Sequence, residues 1–366
     1  HAPIDLDALA SRLMQAKVGT ACIMSTNTTD QHLVSGLAER CPKERIVPAF
    51  GHHPWFTHWI STEEEPTKEE HYRSLFPDPP LLDESDDCSV SELDLILPSL
   101  PEPVPLRKIL DELSAALQRF PHAILGEVGV DKSFRLPFPP ESYATLDRLE
   151  RKAGKQKEDT SAHDEPGCCS SSAPLPKRRL SRLQTPLSHQ LHILRAQIAV
   201  AVQHRRPISF HSVRAAGCTT DFLLDLCTSL HPGGWDDVPS FRDVNLDLHS
   251  CTISAQGIVQ VQKRHANVYV SFSTTINSRQ KGLKEQVEAT DPKRLLSESD
   301  WHSAEGLSER VSDIIKLFAE SKSVLDHLKL QSDAGEEEKL RAVIAMIRRN
   351  WRRFLIGGQE ESSDEE

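Results

Sequence analysis

Four side chains able to bind a metal ion each lie in or at the end of a short, largely apolar run. The runs are Ala123–Asp131, Pro207–Arg214, Val244–Cys251 and Arg294–Asp300, and the side chains, in order, are Glu127, His211, His249 and Asp300. Carboxylate and imidazole groups in this mixture suit zinc, manganese or magnesium. Parallel barrel strands put their C-terminal ends on one face, which predicts that the four side chains meet there. Any one of them alone is ordinarily structural or solvated, but four at equivalent strand ends favour a metal centre.

Strand-like and helix-like patterns alternate along the chain around these side chains. Seven strand-like runs lie near residues 21, 47, 125, 209, 247, 270 and 296. Apolar residues at helical spacing lie between several of them, and Leu187–His204 is the clearest such helix. The alternation predicts an α/β fold, a TIM-type (β/α)8 barrel with its first strand truncated. A last amphipathic helix, Glu337–Leu355, is predicted to cover the barrel.

Several motifs in this chain resemble those of the TatD-like metal-dependent DNases, in the fungal branch of that family. They are Gly-Glu-Val-Gly-Val-Asp ending at Asp131, His211-Ser, His249-Ser-Cys and Glu298-Ser-Asp, in that order. The resemblance extends from about Leu6 to Asp300. It implies a barrel of the metal-dependent hydrolase kind that holds one or two divalent ions (zinc, magnesium or manganese) and hydrolyses phosphodiester bonds.

The resemblance also implies roles for individual residues. Glu127 stands where a carboxylate bridges two metals, His211 and His249 bind one of them, and His1 and Asp300 serve the other. Asp300 is in addition the candidate general base, so that Glu127 and Asp300 are the predicted catalytic residues. His1 is either the second histidine of the family's opening His-x-His motif or an incidental first residue.

Three further residues are predicted to contact the substrate. Gly51-His-His-Pro-Trp55 resembles the family's Gly-Ile-His-Pro-His, in which the histidine before proline lines the substrate pocket; His53 takes that place. Trp55 replaces the second histidine and either stacks on a base or packs at the rim. Arg214 either pairs with a phosphate oxygen or is an ordinary loop cation.

Two departures from the family's motifs keep other functions open. His249-Ser-Cys-Thr-Ile lacks the glycine of His-Cys-Phe-Ser-Gly, and Glu298-Ser-Asp-Trp-His lacks the proline of Glu-Thr-Asp-Ser-Pro. The alternatives to a phosphodiesterase are a non-catalytic protein-interaction scaffold, since fungal relatives resemble proteins described as partners of cell-cycle machinery, and a hydrolase of small amides or esters. Retention of the four downstream ligands favours an enzyme. The residues do not distinguish DNA, RNA and small phosphodiesters, although the family favours DNA.

Composition limits the remaining possibilities. The net charge of −11 is concentrated in Ser61–Asp94 and Gln359–Glu366, so it does not exclude a nucleic-acid substrate. No apolar run is long enough to span a membrane, and the eight cysteines form no Cys-x-x-Cys pair. These features predict a monomer with reduced thiols in the cytoplasm or nucleus, without membrane contact.

The predicted organisation is one barrel domain over residues 1–358, interrupted twice. The segments Ser61–Pro105 and Arg151–Pro186 are rich in proline, serine and charge, which predicts irregular structure. Pro176-Lys-Arg-Arg, in the second segment, is either a nuclear-localisation or nucleic-acid patch or a solvated loop. The acidic tail over residues 359–366 is predicted to be disordered.

Overall fold

A computed structural model of the chain describes residues 4–83, 89–152, 178–229 and 240–356. The strands in these ranges are β1 Ala21–Met24, β2 Ile46–Phe50, β3 Ile60–Ser61, β4 Leu81–Asp83, β5 Val90–Ser91, β6 Val104–Pro105, β7 Ile124–Asp131, β8 Ile208–Val213, β9 Leu246–Leu248, β10 Val268–Phe272 and β11 Leu295–Ser297. The α-helices are α1 Leu6–Gln15, α2 Gln31–Arg40, α3 Lys68–Leu75, α4 Glu92–Ile96, α5 Leu106–Arg119, α6 Tyr143–Lys152, α7 Leu187–Gln203, α8 Ala216–Ser229, α9 Ala255–Arg264, α10 Thr274–Asn277, α11 Leu283–Ala289, α12 Leu307–Ala319, α13 Lys322–Leu328 and α14 Glu336–Ile356.

Seven of the strands form one parallel sheet. Their order is β1-β2-β7-β8-β9-β10-β11, and every neighbouring pair is parallel. Because the strands follow one another in chain order with helices between them, each crossover returns the chain to the same end of the sheet. This is the TIM-type arrangement that the sequence predicts, and the seven strands lie where the seven strand-like runs were placed.

Contacts divide the described chain into two compact units. One comprises residues 1–56, 110–131 and 191–366 and holds the seven-stranded sheet; the other comprises residues 57–109 and 132–190. Each unit has its own buried apolar cluster. The assignment of residues 1–358 to a single domain stays a prediction.

The last helix packs on the seven-stranded sheet as predicted. Phe354 of α14 is buried in a cluster with side chains of β2, β7, β10 and β11. The amide of Asn350 donates to the carbonyl of Leu295 at the start of β11, and that of Asn245 donates to the carbonyl of Phe354. These bonds fix the helix at the N-terminal ends of the strands, opposite the end where the predicted ligands lie.

The prediction that Ser61–Pro105 is irregular is wrong. This segment contains helices α3 and α4 and short strands, and Tyr72 and Leu93 are fully buried. Their cluster also includes Leu136 and Leu183, which lie far away in sequence. The proline, serine and charge content of the segment predicted irregular structure, whereas apolar residues such as Tyr72 and Leu93 are buried in a cluster that includes partners from a different part of the chain.

Other predictions fall partly or wholly outside the described residues. Residues 153–177 of the second segment, including the basic cluster up to Lys177, and the acidic tail 359–366 are among those not described. In the described part of the chain Cys22, Cys41, Cys218 and Cys251 are free thiols. No described helix combines the length and apolar character needed to cross a membrane.

Candidate metal centre

Glu127 is placed by an irregularity in strand β7. The register of β7 against β8 shifts between Leu125 and Val128, so one stretch of β7 bulges. The N–H of Glu127 lies outside the regular hydrogen bonding between the strands and donates to the carbonyl of Ser25, just beyond β1. A bulge re-aims the side chain within it. Glu127 therefore points among the ends of the neighbouring strands instead of following the regular alternation.

Three histidines surround the Glu127 carboxylate. His211, on β8, donates from Nδ1 to Glu127 Oε1 over 2.6 Å. The Nε2 atoms of His249 and His53 lie 3.5 and 3.8 Å from the same oxygen. His53 follows β2, Glu127 and His211 lie within β7 and β8, and His249 follows β9. Four neighbouring strands therefore contribute to one cluster. His53, Glu127 and His211 lie close enough together to share an ion.

His249 connects this cluster to a second group of carboxylates. Its Nδ1 lies 2.6 Å from Glu298 Oε2, and its Nε2 lies 3.4 Å from Asp300 Oδ2. Asp247, two residues before His249 and on the same strand face, accepts a hydrogen bond from Ser271. Asp247, His249 and Glu298 form a second group with the spacing of metal ligands.

Burial and charge act in opposite directions on these groups. Burial alone would raise the pKa of Glu127, but the charges of His249 and His211 outweigh it and hold that pKa well below its ordinary value. Burial disfavours charged His211, yet Glu127 and Asp131 raise its pKa to about 9. For His53 burial wins, with help from the charge of His211, and lowers its pKa to about 3.

The same balance recurs around His249. Burial opposes its charged form, but Glu298, Glu127 and Asp300 raise its pKa well above the ordinary value. Burial, followed by the neighbouring charge of Glu298, raises the pKa of Asp247 to about 7. All ion pairs that Glu127, Glu298 and Asp300 make with described residues are with histidines. The cluster therefore has an excess of buried negative charge.

These residues fit a bound divalent cation. His211 Nε2 and both ring nitrogens of His249 are buried without a hydrogen-bond partner among the described residues. At His249 Nδ1 the contact to Glu298 is short, but its geometry is not that of a hydrogen bond. Buried ring nitrogens that make no hydrogen bond are costly unless an ion binds them. Imidazoles and carboxylates are also the ligand set typical of zinc and manganese sites.

Backbone strain accumulates where the strands end. Arg214, Ser250 and Asp300 have φ angles of 50°, 40° and 47°, in the left-handed region that residues with a Cβ atom rarely adopt. Each such residue costs on the order of 1–2 kcal/mol. Strained residues of this kind cluster at functional sites, where the surrounding structure fixes them. Their position agrees with a site at this end of the sheet.

The structure brings together most of the residues that the sequence singled out. Glu127, His211, His249 and Asp300 form one cluster, and His53 lies inside it instead of at its rim. Three other predicted site residues remain. Trp55 donates from Nε1 to Asp131, Arg214 is exposed, and His1 is outside the described residues.

Sequence reasoning missed two carboxylates of the site. Asp247 precedes His249 by two positions, so the alternation of a strand already places both side chains on one face. This alternation is visible in the sequence Leu-Asp-Leu-His that ends at His249. Glu298 belongs to the Glu298-Ser-Asp motif, but its contact with His249 depends on the pairing of distant strands, which the local sequence does not display.

Comparison with known proteins agrees with the geometry. A family model described as TatD related DNase matches residues 175–352, a range that includes His211, His249 and Asp300. Over these residues the chain resembles the TatD family. Glu127 and His53 lie before the matched range, so their place in the site rests on the distances given above.

Two fungal proteins are similar over much of this chain. The Cut9-interacting protein scn1 of Schizosaccharomyces pombe is 27% identical over 352 residues, which cover 88% of this chain and 90% of that protein. The uncharacterized deoxyribonuclease YMR262W of Saccharomyces cerevisiae is 26% identical over 261 residues, 70% of this chain and 66% of that protein.

Two solved structures are also similar to it. YJJV, a TatD homologue from Escherichia coli, is 16% identical with a TM-score of 0.47, covering 97% of this chain and 93% of its own. An uncharacterized amidohydrolase from Saccharomyces cerevisiae is 14% identical with a TM-score of 0.48, covering 96% and 91%. Because both TM-scores are below 0.5, the TIM-type assignment rests on the strand order of this chain.

Metal affinity is expected to rise steeply with pH. The pKa of His211 is raised to about 9, so its ring is protonated at pH 7 in the metal-free protein and must lose that proton to become a ligand. Between pH 6.5 and 8.5 the affinity for Mn²⁺ should increase about tenfold per pH unit for each proton displaced. Calorimetric titration in two buffers of different ionisation enthalpy measures both the affinity and the protons released. An affinity that does not change over this range would contradict the prediction.

Proposed function

We propose that this protein is a TatD-like metal-dependent hydrolase that cleaves phosphodiester bonds, with DNA as its substrate. The main support is the position of Glu127 Oε1, which lies within 3.8 Å of nitrogens of His53, His211 and His249. His249 in turn lies 3.4 Å from Asp300. A carboxylate among histidines, with a second carboxylate beyond, can hold one or two divalent ions.

Glu127, His211, His249 and Asp300 are the ligands in this proposal. When bound, divalent ions lower the pKa of water and offset negative charge on phosphate oxygens. Glu127 keeps its charge at neutral pH because the histidines depress its pKa, so it is able to hold cationic partners across the working range. Among the described residues no Lys or Arg forms an ion pair with Glu127 or Asp300, which leaves their negative charge for the cation.

Asp300 is the proposed general base. The charge of His249 outweighs burial and lowers the pKa of Asp300, so the carboxylate is ionised and can accept a proton from water at neutral pH. It is also more exposed than Glu127 and His249, with 29% of its side chain accessible against 16% and 7%. Asp300 is therefore the carboxylate best placed to meet an incoming water molecule and substrate.

Substrate contacts are assigned to Arg214 and His53. Arg214 follows β8 directly, is exposed, and makes no ion pair with a described residue, so its guanidinium is available to a phosphate oxygen. His53 is held neutral by its lowered pKa, which permits hydrogen bonding without repelling nearby cations. Trp55 is assigned to holding Asp131 through its indole N–H, in place of base stacking.

The experiment is a comparison of substrates with the complete chain. Single-stranded DNA, double-stranded DNA, RNA and a small chromogenic phosphodiester are each incubated with Mn²⁺, Mg²⁺ or Zn²⁺, and with a chelator. Metal-dependent cleavage of DNA, lost with the chelator and restored by added ion, is the expected result. Cleavage of only a small amide or ester would assign the site to a different hydrolase class, and no cleavage of any substrate would remove the enzymatic proposal.

A protein-interaction role is the second candidate. The fission-yeast relative that covers 88% of this chain is named for its interaction with another protein. Such a role does not require catalysis, so it predicts that a protein without metal still binds its partner. Co-purification of a defined partner by both the wild type and a metal-ligand variant would favour it.

A further inference from the structure

Ser250 occupies an unusual position beside the metal centre. It directly follows His249, is 5% exposed, and has a φ of 40°. Its N–H donates to Glu298 Oε1, and its Oγ lies 2.6 Å from that oxygen and 2.8 Å from Asp300 Oδ2. Within the described part of the site, Ser250 thus contacts both carboxylates that flank the His249 ring.

The number of hydrogens available limits how these contacts can form. A hydroxyl group has one hydrogen, and ionised carboxylates only accept. Ser273 Oγ, 2.8 Å from Ser250 Oγ, accepts from the N–H of Ile276 and has its own hydrogen to give to Ser250. Ser250 can therefore use its N–H for Glu298 and its hydroxyl for Asp300, which satisfies both carboxylates with different atoms of one residue.

This arrangement fixes both carboxylates against one imidazole. Glu298 lies 2.6 Å from His249 Nδ1, and Asp300 lies 3.4 Å from His249 Nε2. Residues that orient metal ligands through hydrogen bonds raise metal affinity because they remove alternative orientations. We propose that Ser250 is a positioning residue, whose N–H and hydroxyl set Glu298 and Asp300 against the two ring nitrogens of His249.

The left-handed backbone at Ser250 supports this role. A residue with a Cβ atom at this φ is strained, and glycine would remove the strain. The hydroxyl that makes three contacts with oxygen atoms is what serine adds over glycine. The inference rests on the proposed metal site, but concerns which residue orients it and is separate from the choice of substrate.

Variants of the complete chain separate the hydroxyl from the strain. Ser250→Ala removes the hydroxyl and keeps the strained backbone, while Ser250→Gly removes both. Each is expected to weaken Mn²⁺ binding by about 10–100-fold, with kcat reduced similarly and KM changed less than about threefold. Thr252→Val is the matched control, because the Thr252 hydroxyl donates to the carbonyl of Ser212 and hydrogen-bonds to no carboxylate of a described residue. It should leave Mn²⁺ affinity unchanged.

A double-mutant cycle tests whether Ser250 acts through Asp300. In an Asp300→Asn background the side chain is uncharged and a poor metal ligand, so its orientation by Ser250 matters little. Adding Ser250→Ala should then change Mn²⁺ affinity by less than about threefold. A purely structural role would give the same loss in both backgrounds. The titration follows the electron paramagnetic resonance signal of free Mn²⁺, which reports binding without relying on cleavage.

The outcomes distinguish this inference from the proposed function. Weakened Mn²⁺ binding in both serine variants, together with non-additivity, supports the positioning role even if no phosphodiester is cleaved. Unchanged Mn²⁺ affinity in Ser250→Ala, or full additivity with Asp300→Asn, overturns it even if the wild type cleaves DNA. If the wild type binds no Mn²⁺, both the positioning role and the metal-dependent function fail.

Discussion

Replacing Glu127 by glutamine is expected to reduce metal-dependent cleavage at least about 1000-fold and to remove most metal binding. Glutamine keeps the size of the side chain but loses the charge around which His53, His211 and His249 converge. Without that charge the pKa of His211 falls, yet an amide is a poor ligand for a divalent ion. Metal content of the purified variant and its cleavage rate with saturating Mn²⁺ are the two measurements.

The variant should remain folded, because Glu127 lies in the bulge of β7 among other polar groups and outside the apolar clusters of the described residues. Its melting temperature without metal is expected to stay within about 3 °C of the wild type, since glutamine keeps the shape of the side chain and His211 and His249 keep their contacts with Asp131, Glu298 and Asp300. Glu309→Gln, an exposed change on α12, is the matched control and should alter neither property. Normal metal content and cleavage in Glu127→Gln would show that the cluster is not the catalytic centre.

The prediction of the barrel from sequence succeeded for a physical reason. Parallel strands that are buried on both faces appear in the sequence as short apolar runs, whereas the helices between them show apolar residues at helical spacing. Both patterns involve only residues that are near one another in the sequence. In a sheet of parallel strands the C-terminal ends share one edge. This rule predicts that Glu127, His211 and His249 lie near one another.

What the sequence did not provide depends on contacts between distant segments. Whether Tyr72 and Leu93 are buried is decided by partners more than 40 residues away, so the composition of Ser61–Pro105 was misleading. Likewise, the hydrogen bond from Trp55 to Asp131 spans 76 residues, and no local pattern distinguishes this indole from one that stacks on a base. The finer geometry of the site therefore required the three-dimensional structure.

Replacing Gly129 by alanine is expected to destabilise the protein by about 3 kcal/mol or more and to lower its melting temperature by roughly 5–10 °C. A Cβ atom at this position would lie 1.9 Å from the backbone oxygen of His211 and 2.7 Å from its carbonyl carbon. Backbone atoms of a central strand cannot rotate away as a side chain can. Strands β7 and β8 would have to separate, which would also move His211 away from Glu127.

Two variants distinguish this backbone clash from other effects of the substitution. Gly217→Ala, in the first turn of α8, places its Cβ where no atom lies within 4 Å, so its stability should be unchanged or raised by about 0.5–1 kcal/mol. His211→Ala removes the imidazole but keeps the backbone oxygen, so it should lose metal binding while retaining most of the stability that Gly129→Ala loses. Thermal unfolding with and without Mn²⁺ compares the three. A Gly129→Ala protein that melts like the wild type would show that β7 and β8 do not approach as closely as described, and the contact between His211 and Glu127 would then lose its structural basis.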